Sequence, residues 1–284
     1  MWKFDGTFGP FAQTEEYLAV NRECVRNWMA ILADGRKSVK DVLDLATGTG
    51  TMASIFLDTL GDWNRYPRLT CLDRSPEALA LARETLGEED GRVVYLEGDV
   101  ANLKLPSASM DIVLLGNGIH YLTETEQVSL AERVKEILRP GGYFFFNTAF
   151  FDGTIPEHTA SFYQAKTREA VKILRESGIE RARDAAHAEA ANLKPLEHYR
   201  TLVGGAGMKL VQTRQYVVQG SLRFYQGIGS YFQYARGLLR GYPVEKAAEA
   251  LIKGTQLAFD RYAETGQNGK RFILRYWLSV GARA

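Results

Sequence analysis

This sequence predicts a doubly wound α/β fold: a mostly parallel sheet with helices on both faces. Three observations carry that reading. Short apolar runs recur between residues 42 and 148 without the polar alternation of a sheet that has one wet face. Helical patterns separate the runs, so successive strands run parallel beneath crossover helices. The runs also end in glycine or in small polar residues, at Thr47-Gly48-Thr49-Gly50, Asp73, Gly98-Asp99 and Gly116-Asn117. In an open α/β sheet, ligands bind at these strand ends.

The elements follow in order. Behind a loop with Gly6, Gly9 and Pro10, Thr14-Glu15-Glu16 opens a helix with a cap residue and acids in its first turn, running to about Ala33. Val42 to Ala46 is the first strand, and a helix through Met52, Ile55, Phe56 and Leu60 follows its glycine turn. Leu69 to Leu72 is the second strand. Ser75 then caps a helix whose first position is Pro76. Arg92 to Glu97 and Asp111 to Leu115 are the third and fourth strands. A helix from about Glu124 to Leu138 stops at Arg139-Pro140-Gly141-Gly142, read as a turn, before a fifth strand from Tyr143 to Thr148. Beyond it, residues 157–192 are charge-rich and helical, with a break at Gly178, and a helix spans about 195–203. Lys209 to Val218 and Phe272 to Val280 complete a seven-stranded sheet. One aromatic helical stretch, Leu222 to Leu239, and a helix over Pro243 to Tyr262 lie between those two strands. A single domain over 1–284 is expected, with a cofactor core at about 38–150 and helical insertions at about 155–192 and 222–268 forming a cap.

Composition narrows the function. Of 284 residues, 45% are hydrophobic and 24% charged, which excludes a disordered or fibrous chain. Lys plus Arg (35) nearly balances Asp plus Glu (34), so no basic excess favours nucleic acid. The first residues lack a basic segment followed by an apolar run, and no stretch approaches a membrane span. Cys24 and Cys71 fall in separate elements, so a disulfide framework is not expected and a reducing cytoplasm is the default. His158, His187 and His198 form no pair at metal-ligand spacing, and no metal is expected.

Chemistry concentrates at the strand ends. The glycine turn at 48–50 lets backbone approach a ligand where a Cβ would collide. Asp44, inside the strand, offers a carboxylate to a cationic ligand group, and Asp73 stands where a ribose-binding acid belongs. Gly48-x-Gly50-x-x-Ala53 also satisfies the loose dinucleotide fingerprint, so the turn alone leaves a nicotinamide-dependent oxidoreductase open. Gly98-Asp99-Val100 and Leu138-Arg139-Pro140-Gly141-Gly142 add ordered features, and no Asn/Asp-Pro-Pro-Tyr/Phe follows the fourth strand.

Taken together, residues 38–150 resemble the class I S-adenosylmethionine-dependent methyltransferases of the small-molecule group, with a Rossmann-like sheet. The resemblance implies that Asp44, Ala46, Gly48 and Gly50 form the turn holding the methionine part of S-adenosylmethionine. Ala46 stands where many relatives have glycine. It implies further that Asp73 binds the ribose hydroxyls, that Arg74 covers the adenine, and that Asp99 and Val100 read the adenine edge. The backbone of Asn117 would face the amino acid end. S-adenosylhomocysteine would be the product. His120, three residues past Asn117, is the candidate general base for a hydroxyl acceptor. Tyr17, Tyr121, Phe150, Tyr225, Tyr231 and Phe232 are the expected substrate contacts, since an insertion before the last strand roofs such sites in relatives. The acceptor would be an apolar or aromatic small molecule, methylated at O, N or C, with neither nucleic acid nor membrane as partner. A protein that binds the cofactor without transferring methyl groups would carry the same motifs.

Overall fold

A computed structural model describes residues 6–34, 39–60, 67–87, 91–182 and 193–284. The parallel core forms where the apolar runs lie: β1 (Asp41–Leu45), β2 (Arg68–Asp73), β3 (Val93–Glu97) and β4 (Met110–Gly116). Helices connect them: α3 (Thr51–Leu60) follows β1, and α4 (Pro76–Leu86) follows β2. The predicted cap of α4 is present, since Ser75 Oγ accepts from the Ala78 amide at 3.1 Å. Ahead of the sheet come α1 (Gly9–Ala12) and α2 (Glu15–Asp34), and Thr14 Oγ1 accepts from the Tyr17 amide at the start of α2. Residues 183–192, the end of the first expected insertion, lie outside the described residues.

After α5 (Glu124–Ile137), β5 occupies Leu138–Thr148. The turn expected at Arg139-Pro140-Gly141-Gly142 is instead taken up inside this strand. Met110 pairs with Leu138 and Ile112 with Tyr143, so the partner strand accommodates the extra residues as a bulge. Gly141, at φ 74°, supplies the left-handed backbone that the bulge needs. The rest of the chain forms α6 (Ala160–Glu176), α7 (Leu196–Gly205), β6 (Lys209–Gly220), α8 (Leu222–Ser230), α9 (Phe232–Leu238), α10 (Val244–Tyr262), β7 (Glu264–Thr265) and β8 (Arg271–Arg283). The aromatic stretch predicted as one helix is two, because Tyr231 leaves the helical region at φ −70°, ψ 120°.

The sheet order is β3-β2-β1-β4-β5-β8-β6, with short β7 paired to β8. β1 to β5 run parallel and β8 lies antiparallel to β5. Val42, Leu43 and Leu45 are buried, as are Ile112 to Leu115, so both faces of the central strands are covered. Consecutive residues of β5 show what covers them. Phe145 stacks on Trp28 of α2 at 5.2 Å, while Phe146, on the opposite face, meets the Tyr199 ring of α7 edge-on at 5.7 Å. Trp28 also donates from Nε1 to Ser279 Oγ of β8 at 2.8 Å, which satisfies its one polar group.

At the amino ends of the strands the charges are paired. Arg139 reaches Asp41 at 2.7 Å and Asp111 at 2.9 Å, and Arg68 also pairs with Asp41 at 2.7 Å. Asp111 Oδ2 further accepts from the backbone amides of Lys40 and Asp41.

The chain divides into two compact units of interleaved segments. One comprises residues 1–19, 153–192 and 217–276, and the other residues 20–152, 193–216 and 277–284. The second holds the sheet core. The first holds α6, α8, α9 and α10, and a core that includes Ala170, Leu174, Ala235, Leu239 and Leu251 joins α6, α9 and α10.

Candidate active site

At the carboxyl ends of β1 and β4 the backbone leaves ordinary conformations. Ala46 (φ 49°), Gly48 (φ 54°), Gly50 (φ 77°) and Asn117 (φ 51°) all occupy the left-handed region. For Ala46 this costs about 1–2 kcal/mol relative to a right-handed residue, and glycine in its place would avoid most of that. The two glycines differ in what surrounds them. A Cβ on Gly48 would meet only the Ala46 carbonyl oxygen, at 3.9 Å, so its outer side is open. A Cβ on Gly50 would press on Leu86 at 3.0 Å and on the Ala82 backbone at 3.3 Å, so Gly50 serves the close approach of α4.

The acids take distinct environments. Asp44 is fully buried: one carboxylate oxygen accepts from Thr47 Oγ1, and Oδ1 has no hydrogen-bond partner among the described residues. Burial, resisted by the Thr47 hydrogen bond, pushes its pKa up to about 7. Asp73 is half-buried and accepts from the Gly48 amide at 2.9 Å and the Ser75 amide at 3.0 Å, tying the end of β2 to the turn after β1. Arg74 beside it is exposed. Asp99 is exposed and caps a short turn by accepting from the Ala101 amide at 2.9 Å, while Val100 is half-buried.

Asn117 is held by a polar lattice between β4 and β5. Its amide donates to Asn147 Oδ1 at 2.9 Å, and its Oδ1 accepts from the Ala149 amide at 2.8 Å. Asn147 Nδ2 donates to Asn21 Oδ1 of α2 at 2.7 Å. Asn117 Nδ2 is buried with no hydrogen-bond partner among the described residues. His120 is buried on a short 3₁₀ turn, with Nδ1 3.0 Å from Thr148 Oγ1. Thr148 can give its own hydroxyl proton to the Phe150 carbonyl at 3.3 Å. Its oxygen then receives Nδ1–H from His120, which leaves the imidazole lone pair on Nε2. Gln127 fixes this turn, its Nε2 donating to the carbonyls of Ile119 and Leu122, while His198 bonds its Oε1 at 2.7 Å.

The expected substrate residues separate. Tyr121 and Phe150 pack on the His120 ring at centroid distances of 4.2 and 4.4 Å, in the unit that holds the sheet. Tyr17, Tyr225, Tyr231 and Phe232 belong to the other unit. There Tyr225 is fully buried, with its hydroxyl donating to the Ile273 carbonyl at 3.0 Å. Tyr17 is also buried, edge-on to Phe11. Tyr231 and Phe232 are half-buried. Sequence reasoning missed Asn147, Thr148, Gln127 and Asn21. The first two had a usable signal: a polar pair closing an all-apolar run, as Gly116-Asn117 closes β4. Among the described residues, no group of three His, Cys, Asp or Glu side chains is placed to hold a metal ion.

The strands form a doubly wound α/β fold whose candidate ligand edge lies at the carboxyl ends of β1, β2, β3 and β4. Comparison with known proteins agrees. A methyltransferase domain family matches residues 42–142. The ubiquinone/menaquinone biosynthesis C-methyltransferase UbiE of Nitrosospira multiformis is 32% identical over 113 residues, which cover 40% of this chain and 44% of that protein. The match therefore spans less than half the length of this curated relative. Among solved structures, a Bacillus halodurans protein aligns over 91% of this chain and 97% of its own, with TM-score 0.54 at 17% identity. The N-methyltransferase NodS of Bradyrhizobium japonicum, solved with S-adenosylhomocysteine, aligns over 95% and 88% with TM-score 0.51 at 13% identity. At such identity these two likenesses speak for the fold. Over residues 42–142 the chain is thus similar to the S-adenosylmethionine-dependent methyltransferases.

Proposed function

We propose that the protein transfers the methyl group of S-adenosylmethionine to an apolar or aromatic small molecule. One observation carries the cofactor assignment: a fully buried carboxylate, Asp44, keeps Oδ1 without a hydrogen bond beside a left-handed turn that is open at Gly48. A buried acid left in this condition is costly unless a ligand donor meets it. The ammonium of the cofactor's amino acid end is such a donor, and Asn117 Nδ2 is a second orphaned group on the same edge, suited to a carboxylate. Asp73 retains lone pairs for ribose hydroxyls after accepting its two backbone amides. Val100 and Arg74 would meet the adenine in this reading.

S-adenosylmethionine, when bound, supplies a methyl group on an already activated sulfonium. The chain's own residues then have to align an acceptor and exclude water. His120, with its lone pair on Nε2 and its Nδ1 side anchored by Thr148, is suited to take a proton from a hydroxyl or amine acceptor. Tyr121 and Phe150 hold that imidazole between aromatic rings. The name of the UbiE relative places it in quinone biosynthesis, and this supports a ring-bearing acceptor.

The test is calorimetric titration with S-adenosylhomocysteine and, separately, with NADH. The reading expects binding of the first only, and loss of it in Gly48→Val, whose branched side chain would fill the open side of the turn. NADH binding with no response to S-adenosylhomocysteine would instead establish the oxidoreductase reading. Screening aromatic acceptors for a mass gain of one methyl group then tests transfer itself.

A further inference from the structure

Lys166, on α6, takes no part in the reading above, and its surroundings are unusual for a lysine. It is 2% exposed, and its Nζ donates to the Tyr234 hydroxyl at 2.7 Å. The rings of Tyr163 and Tyr234 lie 5.0 and 5.1 Å from Nζ, and those of Phe162 and Tyr225 both lie at 5.9 Å. No carboxylate of the described residues forms an ion pair with it. Arg275, itself 4% exposed, adds a second positive charge that acts on Lys166 in the same direction as burial. Buried ammonium groups are ordinarily paired with an acid. Here phenol and ring faces stand where the acid would be.

We propose that this cluster, within one compact unit, is a receiving site for an aromatic acid, whose carboxylate meets Lys166 while its ring packs among Tyr163, Tyr225 and Tyr234. The Lys166 ammonium, with no ion-paired carboxylate among the described residues, selects an anion, and the ring walls select a flat apolar body behind it. Tyr163 is half-buried and borders both the cluster and a surface hollow of about 710 Å³ that it shares with Thr167 and Val171. Entry would require Tyr163, whose hydroxyl lies 3.1 Å from that of Tyr225, to turn aside. The site stands on the geometry of α6, α8, α9 and β8 and is independent of methyl transfer.

Protonation gives the site a signature. Burial pushes the Lys166 pKa down to about 8. The other titratable groups facing it are Tyr163 on α6, Tyr225 on α8, Tyr234 on α9 and Arg275 on β8, while α10 meets the Lys166 backbone at Gly254, which has no side chain. Burial raises Tyr234 to about 12 and Tyr225 well above its ordinary value, and a guanidinium stays charged. Lys166 is therefore the group expected to titrate between pH 7 and pH 9.5.

The probe is sodium benzoate, titrated calorimetrically against the full chain, with benzamide as its neutral counterpart. Benzoate is expected to bind and raise the melting temperature, benzamide to bind at least tenfold more weakly, and benzoate affinity to fall more than tenfold between pH 7 and pH 9.5. Lys166→Met should fold with an unchanged or higher melting temperature and lose benzoate binding by more than tenfold. Absence of benzoate binding by the folded wild type overturns the proposal. So does benzamide binding as tightly, benzoate affinity independent of pH, or undiminished binding by Lys166→Met. The benzamide and pH comparisons use wild-type protein, so the outcome does not rest on the variant folding.

Discussion

The two edges of the sheet are built from similar residues and to opposite ends. At the amino edge, Asp41 and Asp111 are buried: both Asp41 oxygens meet an arginine, and Asp111 Oδ2 meets Arg139 and two backbone amides. At the carboxyl edge, Asp44 is buried more deeply, yet one of its oxygens has no partner, and four nearby residues occupy left-handed backbone. One edge closes its electrostatics internally and holds strands together. The other keeps strain and unmet hydrogen-bonding capacity, which is what a ligand site requires. Burial of an acid is therefore uninformative by itself; what matters is whether its partners are already supplied.

Four changes would break or sharpen that contrast. The largest effect belongs to Asp44→Asn. Its folded pKa of about 7 lies well above the ordinary carboxylate value. Stability from the protonated form is thus fully present below about pH 4 and is lost as pH rises through 7, by roughly 4 kcal/mol. Melting curves of the unliganded wild type should fall across this window, and those of the asparagine variant should fall much less. A wild-type profile that is flat from pH 4 to 8 would show that Asp44 is not held in this way.

Arg139→Met strips the amino edge of its bridging cation and leaves two buried carboxylates short of a partner. Removing one member of a buried pair costs about 3–5 kcal/mol, and partial exposure of Arg139 puts the expectation at the lower end. Chemical denaturation should register the loss while affinity for S-adenosylhomocysteine stays unchanged. A matching loss of affinity would mean that the two edges are not independent.

Asp73→Ala inverts that pattern. Loss of a charged acceptor is worth about 1.5–3 kcal/mol, so affinity for S-adenosylhomocysteine should drop 10- to 100-fold. Unchanged affinity in a folded variant would remove the ribose assignment. The smallest effect is a gain: Ala46→Gly should raise unfolding free energy by up to about 1 kcal/mol, because relief of left-handed strain outweighs the greater freedom of glycine in the unfolded chain. A loss of stability there would show that the Ala46 methyl packs usefully.

The parallel core was legible in the sequence because strands buried on both faces are almost wholly apolar, as Val42, Leu43 and Leu45 around a single acid and the run Ile112–Leu115 show. The ends of those runs revealed Gly48, Asp73, Asp99 and Asn117, because polarity resumes where the sheet stops, and Asp44 stood out as an acid within an otherwise apolar strand. Other features left no local trace. The bulge at Arg139–Gly142 depends on pairing with β4, and the same four residues read equally well as a turn. The break at Tyr231 lies in a stretch whose composition is helical on both sides. The Asn147–Asn21 contact joins positions 126 apart in the chain, and no periodicity announces such a pair. Lys166 fell within the charge-rich helical stretch 157–192 and carried no local mark, because Tyr225 of α8 and Tyr234 of α9, remote in sequence, help to enclose it.

The strand order has a consequence for how the molecule is made. β8 sits between β5 and β6, yet it is the latest of the three in sequence. While the chain is being synthesised, β5 and β6 are both complete before the strand that joins them exists. Until β8 arrives, β5 presents an unpaired edge beside Phe144, Phe145 and Phe146, the kind of apolar edge that recruits other chains. Folding therefore depends on contacts of high sequence separation and should be slow for a chain of this helical content. A fragment ending before residue 277 would lose the strand that pairs with β5, and aggregation is its expected fate. The vulnerable interval in this protein's life is the one between the emergence of β5 and the arrival of β8.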